Sequence, residues 1–333
     1  MKRRRFSDIA KTLLSLALGV AILWWLYRKT DMEQLLEIAG GANFGIILLS
    51  LPLALLGNYV RALRWKLLLN SLGYRPVRAG IVYATFGNYA VNFLLPRAGD
   101  LWRCAVVAKN ERIPVEKTIE TFLVDKIIDI LISVVILIIS ILLSIDFFAD
   151  YFSLHPEFIA AITRIFTSFW LYVGIAAIAM VAWLLFTRFK ENIIVRKINH
   201  FIAVAKHDLL LIARMESKGL LIVYTIVVWL SFFLYFYICF YAFDFTAHLG
   251  FTIGWIVFTM SNVGLAVPVQ GGVGTWHFMV ISSLVVFGVG YEQAGAFAGA
   301  VYAVQSVWII LVGIFGILAL PHVRRNQKDL ERQ

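Results

Sequence analysis

The chain has 333 residues, of which 61% are hydrophobic, 15% aromatic and only 15% charged, with a formal net charge of +10. Soluble domains run nearer ~45–50% apolar and ~25% charged, so the composition excludes an ordinary soluble protein and indicates an integral membrane one. The basic residues flank apolar runs instead of gathering on a polar face, which excludes nucleic acid as a partner and suits the positive-inside rule.

From the N-terminus, MKRRRFSDIAKTLLSLALGVAILWWLYRK has the charged and apolar parts of a signal peptide but no small-x-small cleavage site, so 12–28 reads as an uncleaved first span. A second span covers 44–60 and is followed by Arg61, Arg64, Trp65, Lys66, Arg75 and Arg78. This cluster reads first as an interfacial collar, and in its functional version as a basic pocket for anionic lipid headgroups. The next segment, 79–108, is apolar but interrupted, and contains NYAVNFLLPRAGDLWRC. Pro96 and Gly99 end one half-helix there, and Asp100 starts and caps the next. Arg97 and Arg103 flank that turn as candidate phosphate contacts, with Asn92 just before it; the alternative is a pair of interfacial anchors in which Arg103 pairs with Asp100.

The span 119–145 places Asp125, Lys126 and Asp129 in its first half. Asp125 and Asp129 share one helical face, and charges at membrane depth call for partners, here Arg97, Arg103 or Arg64. An ion network and a direct transport role fit these residues equally. Spans at 165–187 and 219–243 follow, then a second interrupted segment at 251–289 containing AVPVQGGVGTWHF. Asn262, Gln270, Gly271, Gly272 and Gly274 offer polar groups and little bulk to a headgroup, with Pro268 as a hinge; close helix packing is the other use of such glycines. The last span, 294–320, carries Gly295 and Gly299 for packing and the polar Gln305. His277 reads as a hydrogen-bonded core residue. Cys104 and Cys239 have no metal or disulfide pattern, and no cofactor or catalytic residue is expected.

With the N-terminus inside, segments 1–11, 61–78, 97–117, 188–218 and 321–333 hold 26 of the 30 Lys and Arg. That orientation requires both interrupted segments to return to the side they enter from, the first from the cytoplasm and the second from outside. Both share a short pattern: Asn, then P-x-x-G, then Trp followed by a basic or titratable residue. Similar hairpins entering from opposite faces are what an inverted-topology repeat predicts, with its site near the midplane. The expected fold is thus an all-α polytopic bundle, a single transmembrane domain over 1–333, with about six full spans and two broken or re-entrant hairpins.

NFLLPRAGDLWR at 92–103, DKIID at 125–129 and PVQGGVGTWH at 268–277 resemble the three motif blocks of the lysylphosphatidylglycerol synthase transmembrane-domain family. This is the flippase-like portion of the bacterial multiple peptide resistance factor, also found as stand-alone proteins. The resemblance implies that Pro96, Gly99, Asp100 and Arg103 stand in its P-x-x-G-[ED]-x-x-R block and Asp125, Lys126 and Asp129 in its E-R-x-x-D block. Pro268, Gly271, Gly272 and Gly274 stand in its glycine block. The family often has glutamate where this chain has His277 and an arginine near Gln305.

The function so implied is translocation of an anionic or lysyl-modified phospholipid, or of a polyprenyl-linked lipid, between leaflets. A membrane-embedded transferase acting on a lipid-linked substrate and a small-solute carrier are the competing readings. Lysyl transfer is not expected, because the chain ends thirteen residues after Leu320. The implied location is the bacterial or archaeal cytoplasmic membrane, multi-pass, with both termini cytoplasmic. The implied partners are membrane phospholipids or polyprenyl lipids, with room for a homo-oligomer and for a separate lipid-modifying enzyme.

Overall fold

In the computed structural model the described residues are 19–28, 31–94, 98–145, 215–267 and 269–330, with isolated positions at 17, 147 and between 163 and 180. They are helical, with no strand among them. The elements are α1 (Met32–Gly40), α2 (Phe44–Ser71), α3 (Arg78–Leu94), α4 (Ala98–Glu111), α5 (Val115–Leu143), α6 (Lys218–Ile238), α7 (Asp244–Ala247), α8 (Phe251–Ala266), α9 (Thr275–Val286) and α10 (Tyr291–Leu330). Met1–Leu143 and Ser217–Gln333 form one compact unit, which contains the helices α1 to α10, and Ser144–Glu216 form a second.

Among the described residues four segments are long and apolar enough to cross a bilayer: α2, α5, α6 continued to Ala242, and α10 as far as Val323. The expected all-α membrane bundle is therefore present. α5, α6 and α10 reproduce the expected spans within a few residues, and 19–27 of the first span are helical. The span expected at 165–187 lies largely outside the described residues. α2 differs: it continues through Arg61 and Arg64 to Ser71, eleven residues past the expected end at 60.

α5 shows why these helices belong in lipid. Its outward residues, among them Leu123, Ile127, Ile130, Leu131 and Val134, are exposed and apolar, whereas Thr118, Thr121, Asp125 and Ser140 are buried. The polar stripe faces protein and the apolar one faces solvent, the reverse of a water-soluble helix, which satisfies a chain whose solvent is hydrocarbon.

The two interrupted segments fold as helical hairpins, as expected. In the first, Gly99 of α4 lies against Asn88 of α3, while at the far end Glu111 accepts the Val77 N–H at 2.9 Å and reaches Gly80. Contacts at both ends make α3 and α4 antiparallel neighbours. At 17 and 14 residues they are roughly 25 and 21 Å long, too short to cross ~30 Å of hydrocarbon with any excess. α8 and α9, of 16 and 12 residues, pack on one another the same way around the glycine turn.

α10 is the ruler against which both hairpins are measured. A Cβ at Gly313 would meet Ala90, one at Gly316 would meet Gly87, and Gly80 lies near Val323, so α3 climbs α10 antiparallel and in constant register. These glycines bring the two backbones into close contact, the usual role of small residues between membrane helices. Gly295 and Gly299, the expected packing pair, lie instead against Tyr27, whose hydroxyl donates to the Gly295 carbonyl at 3.1 Å. The second hairpin runs from the other end of α10: its turn meets Tyr302, whose hydroxyl donates to the Gly271 carbonyl at 2.8 Å.

Two apolar cores result, one around each hairpin. Phe233, Phe236, Phe258, Trp276, Val280 and Phe297 belong to the core around α8–α9, and Trp65, Ile81, Phe86, Cys104, Phe122 and Val312 to that around α3–α4. Charge follows the same axis. Arg75, Arg78, Lys109, Arg112, Lys117 and Lys218 outnumber Glu111, Glu116 and Glu216 at the connections where α2 ends and α3, α5 and α6 begin. Asp31, Glu33, Glu37, Asp244 and Glu292, beside Arg28, occupy the opposite ends.

Candidate functional site

The gap between the two cores is a cavity of about 570 Å³. Its wall takes Ala54, Asn58 and Arg61 from α2, Tyr89, Asn92 and Phe93 from α3, and Asp100 from α4. Trp229, Phe232, Tyr235 and Phe236 come from α6, and Ser261, Asn262, Gly271 and Gly272 from the second hairpin. Tyr302, Gln305, Ser306, Trp308 and Ile309 come from the middle of the Tyr291–Val323 span of α10. The tips of both hairpins thus meet halfway along a crossing helix, the placement expected of opposed repeats. A volume in the usual ~300–1,000 Å³ range of ligand sites, with apolar walls and few polar groups, suits a small headgroup.

The first tip is built by hydrogen bonds across the hairpin. Asn92 Oδ1 accepts the Gly99 N–H at 2.8 Å and its Nδ2 donates to Asn88 Oδ1 at 3.1 Å, so Asn92 meets a helix-terminal donor of α4 that would otherwise be orphaned in lipid. A Cβ at position 99 would overlap the Asn88 carbonyl oxygen, which is why glycine stands there. The expected cap was Asp100; it lies in the first turn of α4, on the cavity wall, facing Lys126 at 3.9 Å. Pro96 and Arg97 lie outside the described residues.

Behind this wall is an ion network. Arg64 donates through Nε to Asp125 at 2.7 Å and through Nη2 to Asp129 at 2.6 Å, Arg61 pairs with Asp129 at 3.1 Å, and Arg103 reaches Asp125 at 4.0 Å. Arg64 and Asp125 are completely buried, which at such depth is tolerable only because each finds the other. Of the partners expected for the carboxylates, Arg64 and Arg103 are there; Arg61 is a third. The expected collar at Arg61 and Arg64 is corrected: α2 continues past them and their side chains turn inward to α5.

Arg103 is also displaced from its expected role. Its guanidinium is held 4.8 Å from the Trp65 ring and 4.4 Å from the Phe122 ring, almost fully buried behind the wall, and its partner is Asp125 in place of Asp100. Trp65 is itself fixed by donating Nε1–H to Thr121 Oγ1 at 3.1 Å. Among the described residues the cation on the cavity wall is Arg61, next to Asn58, which accepts the Tyr89 hydroxyl. The signal for it was in the sequence: Arg61 and Arg64 at i, i+3 match Asp125 and Asp129 at i, i+4, two helical faces of opposite charge.

The second tip is built by backbone. Gly271, Gly272 and Gly274 have φ of 62°, 74° and 82°, in the left-handed region that residues with a Cβ avoid. Gly271 and Gly272 border the cavity, whereas Gly274 faces away, against Ile22 and Gly19 of the N-terminal helical stretch. Asn262 lines the cavity and donates to the Phe258 carbonyl one turn back at 2.8 Å. Pro268 and the Gln270 side chain lie outside the described residues. His277 is buried in a ring cluster 4.5 Å from Tyr302, with Nδ1 unpartnered, and is not part of the cavity wall. Trp229, Phe232 and Tyr235 were not singled out from sequence, because an aromatic residue in an apolar run gives no sign of which side it faces. A second cavity of about 600 Å³, lined by Trp25, Arg28, Gln34, Tyr291 and Glu292, sits at the acidic end. Among the described residues no group of His, Cys, Asp and Glu could hold a metal ion.

Comparison with known proteins finds one family: the model described as the lysylphosphatidylglycerol synthase TM region matches residues 12–313. No curated protein and no solved structure matches the chain.

Proposed function

Because the chain belongs to the lysylphosphatidylglycerol synthase TM-region family, whose name ties it to membrane lipid, we propose that it moves a lipid headgroup between the leaflets of the membrane it spans. The observation that carries this reading is the meeting of two opposed hairpin tips in one cavity, apolar-walled with a few polar groups, halfway along α10. A headgroup occupies the cavity while its acyl chains stay in the bilayer along the apolar outer faces. Each hairpin closes one approach, the α3–α4 hairpin from the basic end and the α8–α9 hairpin from the acidic end. Anionic phospholipids, their lysyl esters and polyprenyl-linked lipids all fall within this reading. By the positive-inside rule the basic end is cytoplasmic, in a bacterial or archaeal cytoplasmic membrane, with both termini on that side.

A membrane-embedded transferase is less well supported, since Asp125 and Asp129, the acidic pair it would use, are neutralised by arginines. The test is a vesicle assay with a fluorescent headgroup-labelled phosphatidylglycerol, following loss of the inner-leaflet reserve to a membrane-impermeant quencher. The full chain is expected to expose all of the label, and Ala266→Trp, which fills the cavity from an exposed wall position, to leave the inner leaflet protected. Vesicles carrying the unaltered chain that keep their inner leaflet protected would overturn the reading.

A further inference from the structure

Three residues of the cavity wall carry a buried N–H with no partner: Arg61 Nε, Trp229 Nε1 and Gln305 Nε2. They come from α2, α6 and α10, three helices that enclose the cavity from different sides. Among the described residues no wall residue has an unmet buried acceptor. An unmet buried donor costs roughly 1–3 kcal/mol, so three around one cavity are a standing demand for an acceptor. The charge balance makes the same demand independently. Among the described residues Arg61, Arg64, Arg103 and the half-exposed Lys126 face Asp100, Asp125 and Asp129, four cations against three carboxylates. Two further donors in the layer behind, Arg64 Nη1 and Arg103 Nε, are also unmet.

We infer that the cavity takes a phosphate-ester anion, held by Arg61, Trp229 and Gln305, and that it selects the unmodified anionic headgroup over its lysyl ester. A phosphodiester offers acceptors only and brings the missing negative charge. A lysyl ester adds two ammonium groups, which turn the headgroup net positive and set donors against donors. The three nitrogens are occluded, so each side chain rotates slightly to meet an entering anion. This rests on the translocation reading for the source of the anion, a lipid headgroup, but not for its chemistry, which a soluble phosphate ester shares.

The test is titration calorimetry on the purified full chain in neutral detergent, with short-chain phosphatidylglycerol, its lysyl ester, the matching diacylglycerol and soluble glycerophosphate as probes. Phosphatidylglycerol is expected to bind, its lysyl ester at least about tenfold more weakly, and diacylglycerol not at all. Trp229→Phe and Gln305→Met keep shape and volume, remove one donor each, and are expected to weaken phosphatidylglycerol binding about tenfold apiece. Circular dichroism and elution volume check that both variants are folded. Equal binding of phosphatidylglycerol and diacylglycerol, a lysyl ester that binds as well as the parent lipid, or folded variants with unchanged affinity would overturn the inference. Glycerophosphate binding as tightly as the lipid would uphold the anion site and move its source from bilayer to water, which breaks the translocation reading instead. Failure of the vesicle assay with phosphatidylglycerol binding intact would do the same.

Discussion

At the tip of the α3–α4 hairpin the chain is held by charged and amide side chains, whereas at the α8–α9 tip it is held by backbone shape and rings. Asn92 meets the Gly99 N–H, Asp100 faces Lys126, and Arg103 reaches Asp125 from between two rings. Across the cavity, Thr275 Oγ1 donates to the Gly264 carbonyl at 2.8 Å, three glycines turn at positive φ, and Phe236, Phe258, Trp276 and Phe297 pack behind them. The two ways of holding a tip differ in how they fail. A buried charge network is cooperative, and losing one member leaves the others stranded in low dielectric. A packed aromatic core loses stability in proportion to the volume removed.

The sharpest way to break this contrast is Asp125→Ala. It leaves Arg64, which has no exposed surface, with Asp129 on its Nη2 but, among the described residues, no partner for its Nε, and takes from buried Arg103 the carboxylate it reaches; breaking a buried pair costs about 3–5 kcal/mol. A clear drop in midpoint is expected in thermal or denaturant unfolding of the purified protein, together with low yield. The double replacement Arg64→Met with Asp125→Leu is expected to recover part of the loss, because it removes the fully buried pair together while Arg103 keeps, among the described residues, only its two rings. In the other hairpin's core, Phe236→Leu is expected to cost only about 1–1.5 kcal/mol. An Asp125→Ala protein as stable as Phe236→Leu would erase the distinction between the two tips.

Much of this arrangement was legible in the sequence. The opposed hairpins followed from where lysines and arginines had to lie, and Gly99 and the 271–274 glycines marked their tips because a membrane helix tolerates such breaks only for cause. The end of α2 was misread for a physical reason. Hydropathy stops a span at its first charge, and Arg61 is a charge, but its energy is settled by Asp129, 68 positions further on, which no local window sees. Arg103 lies behind the cavity wall instead of on it, since the choice between cavity and ring sandwich is made by Trp65 and Phe122 on two other helices. Trp229 was invisible: its unmet donor exists only because packing of α6 in the folded bundle buries that edge on the cavity wall.

An intermediate effect is expected at the glycine turn. Gly272→Ala forces an alanine into φ 74° and drives its Cβ to 2.6 Å from Leu265 Cδ2, whereas Gly271→Ala, at φ 62°, meets the Tyr302 hydroxyl at 3.0 Å. Left-handed backbone costs a residue with a Cβ roughly 1–2 kcal/mol, so both variants should fold with lowered midpoints, Gly272→Ala more so. Loss of the fold in either would mean that the second tip is as all-or-none as the first.

The smallest effect on stability, and the most informative one about the wall, is expected at Asp100. Its partner Lys126 is 3.9 Å away with a side chain 44% exposed, so the pair is worth at most about 1 kcal/mol, and Asp100→Asn should leave the unfolding midpoint nearly unchanged. Electrostatically the same change removes one of the three carboxylates that offset four cations, and it does so on the cavity wall itself. If the α3–α4 tip holds its position through Asn92 and Arg103, and Asp100 mainly sets the charge presented to a ligand, Asp100→Asn should bind short-chain phosphatidylglycerol more tightly, by about threefold to tenfold, at low salt. Weaker binding with an unchanged midpoint would instead make Asp100 a latch that positions α4, and would shift the origin of anion selectivity from net charge to the geometry of the donors.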